Sequence, residues 1–432
     1  MLKLQNPIEN IASILNQKHS KKSNIALAIF ILLASAGLVS IVLTIYYGLE
    51  IWGISNETFW GISIVNFVYW IGIAHAGTLI SAILLLFNQK WRSTIHRIAE
   101  TSTIIAVICA GLFPLLHTGR PWFALYWLFP YPNQMGIWVN FRSPLVWDYF
   151  AILSYFIVSL LFWYLSLIPD LFLLKNKVNS KVLKKIFSFF SSSWTGSTSQ
   201  WSLHKKLYIL FAGLATALVI SLHSIVSLDF AVTLQPGWHL TLFPPYFVAG
   251  AIFSGCAVLI IILNITNYAY ELNHFITEEQ FEKINKVILA TSLIVTFSYL
   301  LEIFFIFYNG NELEKELYVR RICDENLYLF ILMLIANSLL PNLFWAKRFR
   351  KSKLIMIIVS IFICVGMWLE RYLIILPVIK SNWFDGTYSA YSPTIIELLI
   401  FIGTFGFFCT GFILFTRFLP AIPVYERLRK ES

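Results

Sequence analysis

Residues Asn66–Arg92 read NFVYWIGIAHAGTLISAILLLFNQKWR. From Phe67 to Phe87 there is no Asp, Glu, Lys or Arg, and a helix of that length covers roughly 30 Å, the thickness of bilayer hydrocarbon. Lipid offers no hydrogen bonds, so each backbone amide must be satisfied within its own segment, and the segment is a helix. Lys90 and Arg92 end it.

The rest of the 432-residue chain has the same texture. It is 58% hydrophobic and 12% charged, with a mean hydropathy of +0.73. That composition excludes a water-soluble globule and makes the chain an all-α, polytopic membrane protein. Apolar runs of about twenty residues predict ten helices, near 25–48, 60–87, 95–117, 145–174, 205–227, 242–270, 284–308, 323–345, 354–378 and 394–418. One membrane domain over 25–420 is expected between tails at 1–24 and 421–432. About two dozen polar or mixed residues precede the first run, so that span is expected to stay rather than be cleaved.

The net charge of +10 lies in the connectors. Of the 32 Lys and Arg residues only Arg120, Arg142, Lys315, Arg320, Arg321, Arg371 and Lys380 fall on the side opposite the termini, and the other 25 share the termini's side. The positive-inside rule then predicts that both termini are cytoplasmic and explains the charge without nucleic acid. Cys109, Cys256, Cys323, Cys364 and Cys409 are scattered, with no C-x-x-C pair. This argues against a disulfide framework, a zinc site or an iron–sulfur cluster held by this chain, and no metal site is expected.

Two connectors are long. Lys175–Lys206 is basic at both ends and Ser-rich between (SFFSSSWTGSTSQW), which reads as a mobile linker or a contact with the lipid surface. On the outer side Thr118–Pro144 has 27 residues, eight of them aromatic, with Pro121 placed to open a short interfacial helix. Small residues one turn apart, Gly72 with Ala76, Gly213 with Ala217 and Ala251 with Gly255, mark expected close helix approaches.

Ionisable groups inside spans are costly and are functional candidates by default. Helix three ends at His117, helix four has Asp148 in its first turn, and helix five has His223 near its end with Asp229 just beyond. His239 precedes helix six. Alternating helix direction brings these five, with Arg120 and Arg142, to the outer face. Each alone has a structural explanation, a helix cap or an ion pair. As a group they exceed what capping requires. His75, mid-helix with Thr78 and Ser81 on the next turns, reads either as a hydrogen-bonded core histidine or as a proton relay. Glu302, Glu370, Arg371 and Glu397 occupy outer portions of later helices, and Glu302 with Arg371 is an expected buried pair.

The strings NFVYWIGIAHAGTLISAILLLFNQKWR, AGLFPLLHTGRPW (110–122), NFRSPLVWDYFAI (140–152), LHSIVSLDFAVTLQPGWH (222–239), FPPYFVAGAIFSG (243–255) and GMWLERY (366–372) resemble the NrfD/polysulfide reductase membrane-subunit family. The resemblance runs from about Trp52 to Pro420 and is greatest to the larger, quinol-binding NrfD-type subunit of bacterial alternative complex III. It implies two four-helix bundles, helices 2–5 (60–227) and 6–9 (242–378), with flanking helices and a quinol pocket at the outer end of the first bundle. His117 and Asp148 match the family's quinol-site positions; Arg120, Arg142, His223, Asp229 and His239 join them by depth. The implied function is oxidation of menaquinol or ubiquinol at the outer face, with proton translocation as a further expectation. No cofactor is implied in this chain, with quinol as substrate. Implied partners are an iron–sulfur protein, c-type cytochromes, a second NrfD-like membrane protein and a terminal oxidase. Other readings are a catalytically silent anchor, a cytochrome b-like protein with haem on His117 and His223, and a transporter or channel, whose midplane charges this chain lacks.

Overall fold

The computed structural model describes residues 7–55, 58, 60–122, 144–233, 235–238, 240–308, 312–323, 326–381, 389 and 391–426. Ten helices among them are long and apolar enough to cross a membrane. In chain order the principal helices are α1 (Pro7–Asn16), α2 (Lys21–Tyr47), α3 (Gly61–Leu86), α4 (His96–His117), α5 (Pro144–Leu174), α6 (Lys181–Phe190) and α7 (Thr198–Ala231). They continue with α8 (Phe243–Tyr270), α9 (Glu278–Tyr308), α10 (Glu312–Cys323), α11 (Leu327–Trp345), α12 (Lys353–Lys380) and α13 (Ile395–Phe418). The spans are all of these except α1, α6 and α10.

Several ends differ from the hydropathy reading because polar caps, not hydrophobicity, set them. Ser197 caps α7, accepting from Gln200 N, so that helix starts seven residues before its apolar run. Its other end reaches Ala231, which puts Asp229 inside the helix rather than beyond it. The Lys175–Lys206 connector contains α6, capped by Ser180 and packed on α5 through buried Leu183 and Phe187.

Packing centres on α3 and α8, the two most buried spans. α3 packs on α4 and α8; α5 packs on α4 and α7; α8 also contacts α7, α9 and α12; and α13 pairs with α2 at the periphery. Glycine sets the closest approaches. A Cβ on Gly77 would lie 1.9 Å from the Ala99 carbonyl oxygen, and one on Gly403 would lie 2.4 Å from the Gly37 Cα, so these helices touch backbone to backbone. At Gly72 the neighbours are Ser254 and Ala251 on α8, but a Cβ on Gly213 would meet nothing within 4 Å, so that pair marks no close approach.

Two spans contain a single π-turn, Leu79–Ile83 in α3 and Ile335–Leu339 in α11. Each presents a polar side chain to a buried carboxyl: Ser81 donates to Glu100, and Asn337 donates to Tyr299 Oη at 2.9 Å and to Glu370 at 3.4 Å. π-Turns are rare and gather at functional positions. The expected Glu302–Arg371 pair is not formed. Glu302 meets Arg321 of α10 at 2.8 Å, and Arg371 meets its neighbour Glu370 at 3.1 Å. Pairing depends on helix rotation as well as depth, and α10, which hydropathy does not reveal, supplies the nearer cation. Glu397 is structural: it closes a capping box with Thr394 and accepts from Gly53 N at 3.1 Å.

Candidate functional site

Where α3, α4 and α5 splay apart, at the end holding His117 and Asp148, there is a cavity of about 500 Å³. Pro114 interrupts the last turns of α4, removing an amide donor and loosening the helix beside the cavity. The walls are largely apolar, among them Trp60, Phe67, Gly111 and Phe156, and the polar groups that enter include His117 and Asp148. An apolar hollow with few convergent polar groups is what a small, mostly hydrophobic ligand requires. Ile108 and Leu153 line the cavity and are each 43% exposed on the helix surface. The cavity therefore opens sideways, between α4 and α5, toward lipid.

The polar residues are positioned from three directions. His117 ends α4, and its ring lies 6.4 Å from that of Trp52, which is held by donation of its Nε1 to Thr44 Oγ1 at 3.0 Å. Asp148 sits in the first turns of α5, 2% exposed, beside Asp229 of α7, also 2% exposed. Among the described residues each carboxyl has the other as its polar neighbour, and no cation pairs with either. Two adjacent carboxyls so enclosed form a group suited to taking up and passing on a proton. Behind them Trp60, Phe230 and Trp238 make an aromatic wall, with Phe230 and Trp238 4.9 Å apart and Trp238 Nε1 donating to Ile374 O at 2.8 Å.

His223 does not line the cavity. It lies six residues, about 9 Å, further down α7 than Asp229, fully buried with its ring 4.7 Å from that of His75. His75 Nδ1 bonds the Ile71 carbonyl at 2.5 Å and its ring also reaches the Val219 backbone, while both nitrogens of His223 have no hydrogen-bond partner among the described residues. Arg120 is exposed at the end of α4 and is not part of the lining. Arg142 and His239, and most of the aromatic connector, lie outside the described residues.

The opposite end of the same helices holds a second polar group that sequence reading missed. Glu100, 17 residues and about 25 Å from His117 along α4, accepts from Ser81, from Ser166 at 3.1 Å and from Tyr208 at 3.4 Å. Arg97 meets Asp170 at 2.5 Å, and Arg92 meets Glu426 at 2.6 Å. The chain after α13 returns to this end: Asp170 accepts from Val424 N at 2.9 Å and Tyr425 N at 2.8 Å, and Tyr425 stacks on Trp201 at 3.9 Å. The available signal was the presence of Glu100 and Asp170 inside apolar runs. Between the two ends Tyr155 stacks on His75 at 5.5 Å, its hydroxyl donating to Ala74 O at 3.0 Å, and Thr103 Oγ1 donates to the same carbonyl at 2.8 Å. Among the described residues no cluster of His, Cys, Asp and Glu could hold a metal ion.

The family model described as polysulphide reductase, NrfD matches residues 50–381. The C subunit of selenate reductase from Mesobacillus selenatarsenatis is 21% identical over 423 residues, covering 92% of this chain and 93% of that protein. The C-type membrane subunit of a putative dimethyl sulfoxide reductase from Halobacterium salinarum is 27% identical over 237 residues, 55% of this chain and 50% of the relative.

Proposed function

Since the chain belongs to the NrfD, polysulphide reductase, family, we propose that it is the quinol-binding membrane subunit of a multi-subunit respiratory oxidoreductase. The observation that supports this reading above the others is the laterally open apolar cavity with His117 and Asp148 at its polar end. An isoprenoid quinol enters from the bilayer between α4 and α5, its tail passing Ile108 and Leu153 and its ring lying under Trp60 and Phe67.

Oxidising a quinol to the quinone releases two electrons and two protons, so proton acceptors must lie within hydrogen-bond reach of the hydroxyls. His117 accepts from one hydroxyl and Asp148 from the other. Asp229, beside Asp148 and away from the ring, takes the proton onward. The inward relay starts at the His75–His223 pair and is directed to Glu100. Both termini lie in the cytoplasm, so the cavity faces outward, and electrons leave to an iron–sulfur partner outside the membrane. In a complex of the alternative complex III type they continue to c-type haems, a second NrfD-like protein makes up the remaining membrane part, and a terminal oxidase follows. The names of the two relatives favour a second destination, a terminal reductase of an oxyanion or sulfoxide. Quinol is oxidised in both cases, and the acceptor that supports turnover, cytochrome c or selenate and dimethyl sulfoxide, separates them.

A cytochrome b-like arrangement would need His117 and His223 to face one haem, and of the two His117 alone lines the cavity. The test is Asp148→Asn in the assembled complex. Quinol-dependent reduction of the acceptor falls at least about a hundredfold, the general acid–base contribution, while subunit stoichiometry is unchanged. Unchanged turnover refutes the assignment, and failure of the wild-type complex to bind a quinone analogue makes the chain a silent anchor.

A further inference from the structure

Helix α6 has three faces. Successive residues turn by about 100°, so Leu183 and Phe187 share one side, and both are buried against the bundle. Roughly a third of the way round lies a second stripe of Val182, Ile186 and Phe189, which are 66%, 39% and 73% exposed. The remaining third has Lys181, Lys184 and Lys185, all exposed. Two sides are thus accounted for by protein and solvent, and the apolar one faces neither a packing partner nor a charged surface.

The depth of the helix is fixed by one hydrogen bond. Tyr164 Oη donates to the Phe190 carbonyl at 2.8 Å, and Tyr164 lies ten residues, about 15 Å, before the end of α5. α6 therefore runs back along α5 with Phe189 and Phe190 as its deeper end. Tyr164 is 16 residues, about 24 Å, from Asp148, inside the roughly 30 Å of hydrocarbon. Lys184 and Lys185 sit about 8 Å along the helix from Phe190, about 32 Å from Asp148 and so at the edge of the roughly 30 Å of hydrocarbon, where the headgroups begin. Lys175 and Lys177, ahead of α6, and Lys205 and Lys206, in α7, add positive charge to the same end.

We propose that α6 is a binding site for anionic phospholipid of the inner leaflet. Phe189 and Ile186 insert among the upper acyl carbons, and Lys181, Lys184 and Lys185 contact the phosphates. The chemistry is that of interfacial amphipathic helices, whose binding combines buried apolar area with attraction to anionic headgroups.

The intact complex, purified in neutral detergent, is loaded with phosphatidylglycerol or phosphatidylcholine, and lipid retained per complex after washing is measured by mass spectrometry. Lysine near an anionic surface contributes about fivefold each. K181Q/K184Q/K185Q is therefore expected to weaken phosphatidylglycerol retention more than fivefold and to leave phosphatidylcholine unchanged, while the triple Lys→Arg variant retains wild-type behaviour. Phe189→Ser, with the lysines intact, weakens both lipids. Undiminished phosphatidylglycerol retention in the triple glutamine variant overturns the proposal. Displacement of the lipid by millimolar inorganic phosphate also overturns it, because the site would then be one for a free anion.

Discussion

Gly111 offers the sharpest test of the cavity. It lies on α4 facing the hollow, and a Cβ built there meets only Ile152 Cγ2, at 3.7 Å, an ordinary van der Waals contact. Gly111→Leu thus adds a side chain without forcing the backbone, and replacing glycine within a helix favours folding by about 0.5–1 kcal/mol. On the proposed reading the new isobutyl group occupies the space of the quinol ring. Crowding a filled apolar site costs about 1–3 kcal/mol, so the KM for quinol rises between about fivefold and about a hundredfold, at 1.36 kcal/mol per factor of ten. The assay is steady-state oxidation of a short-chain quinol by membranes containing the assembled complex, alongside its thermal melting. Gly213→Ala, in open space on α7, serves as the control and changes neither quantity for the worse. A Gly111→Leu complex that melts at or above the wild-type temperature with an unaltered KM refutes the placement of quinol in this cavity.

Other outcomes follow from the same structure. His75→Leu removes the ring beside His223; if the pair is the proposed relay, protons translocated per electron fall while quinol oxidation persists, and an unchanged ratio dismisses it. Arg97→Ala leaves Asp170 buried without its cation, and breaking such a pair costs about 3–5 kcal/mol, read as a large loss of assembled complex in membranes. Trp52→Ala removes the buried ring beside His117 and its bond to Thr44 at the end of α2, so the KM for quinol rises and, because truncating a buried Trp costs about 3–5 kcal/mol, thermal melting of the complex shifts down with it.

The spans were legible because lipid imposes a single requirement, an apolar run of a given length, and composition states it directly. α6 and α10 escaped because interfacial and connector helices lack that run: α10 reads ELEKELYVRRIC and has no apolar stretch to notice. His117 and Asp148 could be singled out because helix direction puts both at one depth and the motifs that carry the resemblance contain both, and both line one cavity. Their neighbours could not be ranked, since depth places His223 near Asp229 but only helix rotation shows that its ring faces His75. The same limit produced the expected Glu302–Arg371 pair, which the structure replaces with Glu302–Arg321. Glu100 was overlooked because, close to Arg92 and Arg97, it resembles the charged flank of a helix, whereas the π-turn at Leu79–Ile83 brings Ser81 to it.

The contacts of Asp170 also bear on how the chain is made. Its carboxyl takes two backbone donors from Val424 and Tyr425, which are synthesised 254 and 255 residues later. At roughly 5–20 residues per second, that interval is on the order of ten to fifty seconds. For that time a nascent chain with its first spans already inserted holds this carboxyl incompletely satisfied, with only the Arg97 pair available to it. Arrival of Val424 and Tyr425 then fastens α5 with nearly the latest residues described, so Asp170 gains its last polar partners only after every described span has been made.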